Sequence, residues 1–180
     1  MDFKAWLMKG IEIVKLNRPA MDEVASDEQS FWPAVLFFAI GGLASGLGSS
    51  LGNVVLLPVL IVAGPVTQVA GSFISIFLLF IIAKLFGGTG TYRAYFSALG
   101  VGSIISWTQV VPVLGHIISL WNIPVAVVVT ERVHNVSTGK AVAIVLIPII
   151  IAFIVLFTIA AFVGMAAFMG MMNMPGMKPF

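Results

Sequence analysis

Apolar and charged positions separate into blocks along this chain. No Asp, Glu, Lys or Arg lies between Glu28 and Lys84, between Arg93 and Glu131, or between Lys140 and Lys178. A helix rises about 1.5 Å per residue and needs about 20 residues to cross about 30 Å of hydrocarbon. The first block therefore divides into spans near 31–50 and 64–86, and the second, at VVPVLG (Val110 to Gly115), into spans near 92–111 and 114–131. The third block holds one long span near 141–170, and the total is five. Residues 53–63, NVVLLPVLIVA, are too few to cross, and Pro58 and the pair Gly64-Pro65 separate them from the second span. That piece is interfacial, re-entrant or an extension of a span.

Ahead of the first block the pattern becomes two-faced. In DFKAWLMKGIEIVKL, Phe3, Trp6, Leu7, Ile13 and Val14 fall on one helical face and Lys4, Lys9, Glu12 and Lys15 on the other. Such a helix lies in the membrane interface or packs against the bundle. In SDEQSFWPAVLFF, Ser26 and Gln29 have the spacing of a capping box, with Asp27 and Glu28 matched to the helix dipole, so the first span is predicted to start there. The expected organisation is a cytoplasmic amphipathic segment over 1–30, a membrane domain over 31–170 and a Met-rich outer tail over 171–180. The expected fold class is all-α integral membrane, with five transmembrane helices and an N-terminal amphipathic interfacial helix.

Composition strengthens the membrane reading. Hydrophobic residues make up 60% of the chain and charged residues 9%, against about 25% charged in a typical soluble domain. Mean hydropathy is +1.13. At least eight charges in the first 30 residues exclude a secretory signal there. Without cysteine there is no disulfide framework, thiolate metal site or thiol nucleophile. A net charge of +2 is too weak and too dispersed to suggest nucleic acid. With five spans, Lys4, Lys9, Lys15, Arg18, Lys84, Arg93, Arg132 and Lys140 all fall on one side, and Lys178 falls on the other. Cytoplasmic loops retain Lys and Arg, so the N-terminus is expected in the cytoplasm and the C-terminus outside.

Candidate chemistry is sparse. In GGLASGLGSSLG, the small residues Gly41, Ser45 and Ser49, with Gly42 and Gly46, recur at four-residue spacing, which lets membrane helices approach closely within the chain or across a homo-oligomer. Away from their ends, the predicted spans hold no charge of the kind that proton relays and selectivity rings use. Their polar groups are Thr67, Gln68, Thr108, Gln109, Asn122 and His116, beside helix breaks expected at Pro65, Pro112, Pro124 and Pro148. Those groups either hydrogen-bond helix to helix or form an intramembrane site at Gln68, Thr108, Gln109, Asn122 and His116. His116 has no second ligand at metal spacing, so no metal and no cofactor is expected. Six methionines near the C-terminus, Met165, Met169, Met171, Met172, Met174 and Met177, are apolar filler or soft Cu(I) ligands. Ser, His and carboxylate are nowhere combined at catalytic spacing, and STGK lacks the rest of a phosphate-binding loop. No enzyme is expected.

From AKLFGGTGTYRAYFSALGVGSIISW (Ala83 to Trp107) through VVPVLGHIISLWNIPVAVVVTERVHNVSTGKAVAIVLIPIII (Val110 to Ile151), the chain resembles the Yip domain, the Ypt/Rab-interacting protein family. The resemblance lies in a glycine turn before an aromatic and basic helix start, a proline-glycine turn, a Trp in the fourth span, and a Glu, a His and Ser-Thr-Gly-Lys-Ala before the last span. It extends loosely back to NRPAMDEVASDEQSFW. It implies five spans with a cytoplasmic N-terminus and, for eukaryotic members, vesicle traffic and binding to prenylated Rab GTPases and to relatives of the same family. About 30 residues before the first span resemble compact prokaryotic members of the cell membrane, for which no GTPase partner is implied.

The charged turn TERVHNVSTGK brings Glu131, Arg132, His134 and Lys140 together. Glu131 and Lys140 each oppose the dipole of their own helix, so a Glu131–Lys140 pair is predicted across the turn. The other reading is a headgroup or partner site of Lys84, Arg93, Glu131, Arg132, His134 and Lys140, since juxtamembrane cations add about 1 kcal/mol each toward anionic lipid. The leading expectation is a non-enzymatic scaffold that organises membrane or binds a membrane or cytoplasmic protein partner. The alternative is a transporter, channel or lipid-moving protein.

Overall fold

The computed structural model describes residues 2–52 and 54–172, and all regular structure there is helical. The expectations resting on Asn53, Met174, Met177 and Lys178, and on the side chains of Met171 and Met172, lie outside the described residues. Two units divide after Val145.

The first unit opens with two short helices, α1 (Phe3–Val14) and α2 (Arg18–Ser26). Asp2 caps α1 by accepting from the Ala5 N–H at 3.2 Å, and Asn17 caps α2 through Ala20 N–H at 3.4 Å. Pro19 sits in the first turn of α2, where no N–H is needed. The capping residue after α2 is Asp27, whose carboxylate accepts from Gln29 N–H at 2.8 Å, not Ser26. The Ser26 hydroxyl instead ends α2 by donating to the Asp22 and Glu23 carbonyls.

Next come α3 (Phe31–Ser50) and α4 (Leu57–Leu85), the latter preceded by a 3₁₀ turn at Val54–Leu56. Residues 54–63 are thus an extension of the second long helix, one of the three readings of that piece. Pro58 occupies the first turn of α4, where its missing N–H has no carbonyl to satisfy. Pro65 lies inside the helix, which continues through it, so Gly64-Pro65 is not a break. α5 (Tyr92–Gly102) runs into a 3₁₀ helix at Ser103–Val110. At about 1.5 Å and about 2.0 Å per residue these two together measure roughly 32 Å. α6 (Leu114–Ser119) and α7 (Asn122–His134) come after it, and Asn135 ends α7 in the left-handed conformation its side chain tolerates. Pro124 falls in the first turn of α7, and Pro148 lies inside α8 (Thr138–Met172) without ending it. Among the described residues, four stretches are long and apolar enough to cross a membrane: Glu28–Ser50, Val54–Leu85, Leu114–His134 and Thr138–Gly170.

α3 is central, packing against α4, α5 and the 3₁₀ helix. Gly42 and Gly64 lie face to face: a Cβ on Gly42 would strike the Gly64 carbonyl and stand 2.6 Å from the Gln68 Cβ. Gly46 meets the Leu60 backbone in the same way, and Gly41 lies against Ser106. Of the predicted packing stripe, Gly41, Gly42 and Gly46 therefore pack within the chain, Ser45 is half-buried and Ser49 is exposed. α1 and α2 pack on α5 and α7. Trp6, Ile13, Met21 and Val24 are buried there, so the apolar face of α1 rests on the bundle, while Met8 and Ile11 are exposed. The second unit, from Leu146 onward, is among the described residues the apolar remainder of α8.

Candidate functional site

The charged turn after α7 is held by partners far away in sequence. Glu131 does not pair with Lys140. One of its oxygens lies 3.0 Å from the Arg18 guanidinium, and the other accepts from the Thr138 hydroxyl at 3.0 Å. Lys140 donates to the carbonyl of Phe86, the residue that ends α4, at 3.2 Å. A cation at the start of α8 opposes that helix's dipole, and the carbonyl end of α4 offsets the penalty. Arg132 binds Asp22 of α2 through both Nε and a terminal nitrogen, a bidentate geometry that arginine favours. Arg93 donates to the Glu28 carbonyl and lies over the Phe31 ring. Lys84 is exposed and stands over Phe80, 5.3 Å from the ring centre.

His134 belongs to the interior. It is fully buried, with the Tyr95 ring edge-on at 4.7 Å and Phe80 at 5.8 Å, and neither ring nitrogen has a hydrogen-bond partner. The loop after α4 seals it: Thr89 N–H donates to the His134 carbonyl at 3.0 Å, and a Cβ on Gly88 would stand 2.8 Å from Nδ1. Beside it the Tyr95 hydroxyl bonds Thr130 at 2.7 Å. Of the six residues predicted for a partner or headgroup surface, five gather at this end of the unit with their charges at or near the surface, and the sixth, His134, is withdrawn from it.

The intramembrane polar residues divide. Gln68 and Asn122 come together on the wall of a cavity of about 400 Å³ between α4, the 3₁₀ helix and α7, beside Ser72, Ser75, Ser103 and Ser106. Thr108 and Gln109 are not there. Thr108 donates to the Ile105 carbonyl at 2.7 Å, and Gln109 to the Ser119 hydroxyl at 3.1 Å, closing the turn into α6. His116 is exposed on α6. No group of three His, Cys, Asp or Glu suited to a metal occurs among the described residues.

A family model described as the Yip1 domain matches residues 15–160, which takes in α2 through α7 and both sites. The chain belongs to the Yip1 domain family. No curated protein and no solved structure matches it. This Yip1 domain protein is an integral, multi-pass membrane protein, as its long apolar helices and its family together require. Reading by sequence alone misses Arg18 and Asp22 as partners of the charged turn, because both sit more than a hundred residues from it. It also misses the cavity serines. Ser72 and Ser75 lie four and seven residues beyond Gln68, the steps of one helix face, a signal present in the sequence but diluted by the apolar run around it.

Proposed function

We propose that this protein is a non-enzymatic membrane scaffold whose charged end is the working surface. The observation that carries the reading is the convergence of Lys84, Arg93 and Lys140, exposed, on the end where α2 is clamped by Arg132–Asp22 and Arg18–Glu131. A face whose internal ion pairs fix its shape presents its remaining charge in a defined pattern, which suits an acidic protein surface or anionic headgroups. Retention of Lys and Arg on the cytoplasmic side supports placing this end in the cytoplasm. It also supports a crossing by α5 with its 3₁₀ extension, a fifth span beside the four long apolar ones. Partners co-purified from native membranes test the reading. Lys84→Ala, Arg93→Ala and Lys140→Ala together should abolish their recovery, with thermal unfolding showing that the triple variant still folds. Undiminished recovery contradicts it.

One observation favours the second reading, movement of a small solute or lipid: the cavity at Gln68 and Asn122. Flux across reconstituted vesicles, lost on Gln68→Leu, supports that reading, and no flux for a broad panel of lipids and solutes contradicts it.

A further inference from the structure

We propose that the cavity beside α4 is a binding site for the uncharged, hydrogen-bonding end of a lipid, a hydroxyl or ester such as a neutral glyceride carries. The inference needs only the membrane-spanning reading of α4; it concerns the same cavity as the flux reading but requires binding alone, so it holds or fails whether or not anything is moved.

The first support is unfilled hydrogen-bonding capacity. Gln68, Ser72 and Ser75 line the cavity from one face of α4, and none of the three side chains bonds to another described residue. Ser72 is only 8% exposed, and its free hydroxyl is open to the cavity it lines. Serine and threonine hydroxyls inside helices commonly donate back to a carbonyl one turn earlier, as Thr67 does to Ala63 at 2.7 Å. On the opposite wall Ser103 donates to the Gly100 carbonyl, and Asn122 reaches the Ser106 hydroxyl at a long 3.4 Å. That side keeps acceptor capacity on its hydroxyls and its amide oxygen. A polar group left unpaired in hydrocarbon is costly, and a bound hydroxyl or ester would satisfy several at once.

The second support is the absence of charge. The stretches 29–83 and 94–130, which supply every lining residue, hold no Asp, Glu, Lys or Arg. A phosphate or ammonium in the cavity would be desolvated with no counterion, whereas a neutral donor-acceptor group would not. At about 400 Å³ the space lies within the roughly 300–1,000 Å³ of ordinary ligand sites.

The third support is the way in. Gly71 forms the rim on the exposed side of α4, and nothing lies within 4 Å of where its Cβ would be. On the same side of α4, Ile74 and Leu78 are more than half exposed. A ligand entering through such a rim keeps an apolar part against these side chains while its polar end reaches Ser72. Residues 68–75 occupy the middle of α4, so the polar end must be one that can leave the headgroup layer.

The test uses the purified full-length protein with dioleoylglycerol, dioleoyl phosphatidic acid and free glycerol as probes, read by native mass spectrometry and thermal shift. Dioleoylglycerol should bind saturably and raise the melting temperature, and phosphatidic acid and glycerol should each bind at least tenfold more weakly. Gly71→Leu fills the rim without a clash and should lower dioleoylglycerol affinity tenfold or more, with the unliganded melting temperature unchanged. Gln68→Leu with Ser72→Ala should do the same. Equal binding of phosphatidic acid overturns the neutral-ligand assignment, and equal binding of glycerol overturns the lipid. Binding that survives Gly71→Leu overturns the location, and binding of none of the three shows a cavity that holds only water.

Discussion

Single residues decide how closely α3 and α4 meet. Gly42 and Gly64 bring the two backbones into direct contact, and a methyl on Gly42 has nowhere to go. Gly42→Ala should therefore lower stability by about 1–3 kcal/mol, the usual range for overpacking. Gly71→Ala on the open side of α4 should be neutral or slightly stabilising, because alanine is the better helix former. Thermal unfolding of the two variants in one detergent makes the comparison, and equal loss in both would show that the α3–α4 contact is not close. The stripe of small residues is legible in the sequence because four-residue spacing is a helix face. What spacing does not contain is the partner: Gly42 meets Gly64, inside a segment that proline marks as a break. The same limit governs the charged turn. Glu131 and Lys140 each need a partner, as their helix positions imply, but Arg18 and the Phe86 carbonyl supply it, and neither lies in the turn.

At the scale of elements, α1 and α2 form a corner on the face of α5 and α7. Glu12 closes it, accepting from Lys15 Nζ at 2.8 Å and from the Asn17 side chain at 2.9 Å. The hydrogen bond from Lys15, then that from Asn17, then the Lys15 charge hold the Glu12 carboxyl below its ordinary range. A carboxylate whose folded value is depressed stabilises the corner above its unfolded value, and that contribution is lost as pH falls through the folded value. Hydrogen exchange at the amides of Asn17, Arg18 and Ala20 should accordingly speed up as pH drops through the carboxylate range, after correction for intrinsic rates. In Glu12→Gln it should be faster at neutral pH and lose that pH dependence. Unchanged exchange in both would contradict the role given to Glu12. This corner shows where sequence legibility stops. α3 is legible at 31–50 because a charge-free run with an acidic start specifies a span with little help from tertiary structure. α2 is not, because it is short, four of its nine positions are polar and a proline stands in its first turn, and its burial depends on α5 and α7 being present.

At the scale of the molecule, the blocks of charge along the sequence become one end of a bundle. Arg18, Asp22, Glu28, Phe86, Arg93, Glu131, Arg132 and Lys140 are joined by contacts that link separate stretches of chain. The proposed scaffold surface requires that end to face the cytoplasm, with the turns near Leu51 and Val111 on the far side. Composition and family make the protein multi-pass. Whether α5 with its 3₁₀ extension completes a crossing governs which residues can share a face, and so governs both the scaffold surface and the depth of the lipid cavity. The chain has no cysteine, so single cysteines report position without background. The most direct measurement is labelling of Leu51→Cys, Leu85→Cys, Val111→Cys and Ser137→Cys by a membrane-impermeant maleimide in intact cells and again after permeabilisation. All four positions are exposed in the protein. Five crossings with a cytoplasmic charged end predict labelling of Leu51→Cys and Val111→Cys in intact cells, and of Leu85→Cys and Ser137→Cys only after permeabilisation. Val111→Cys labelling together with Leu85→Cys would contradict them, because α5 would then return to the side from which it started.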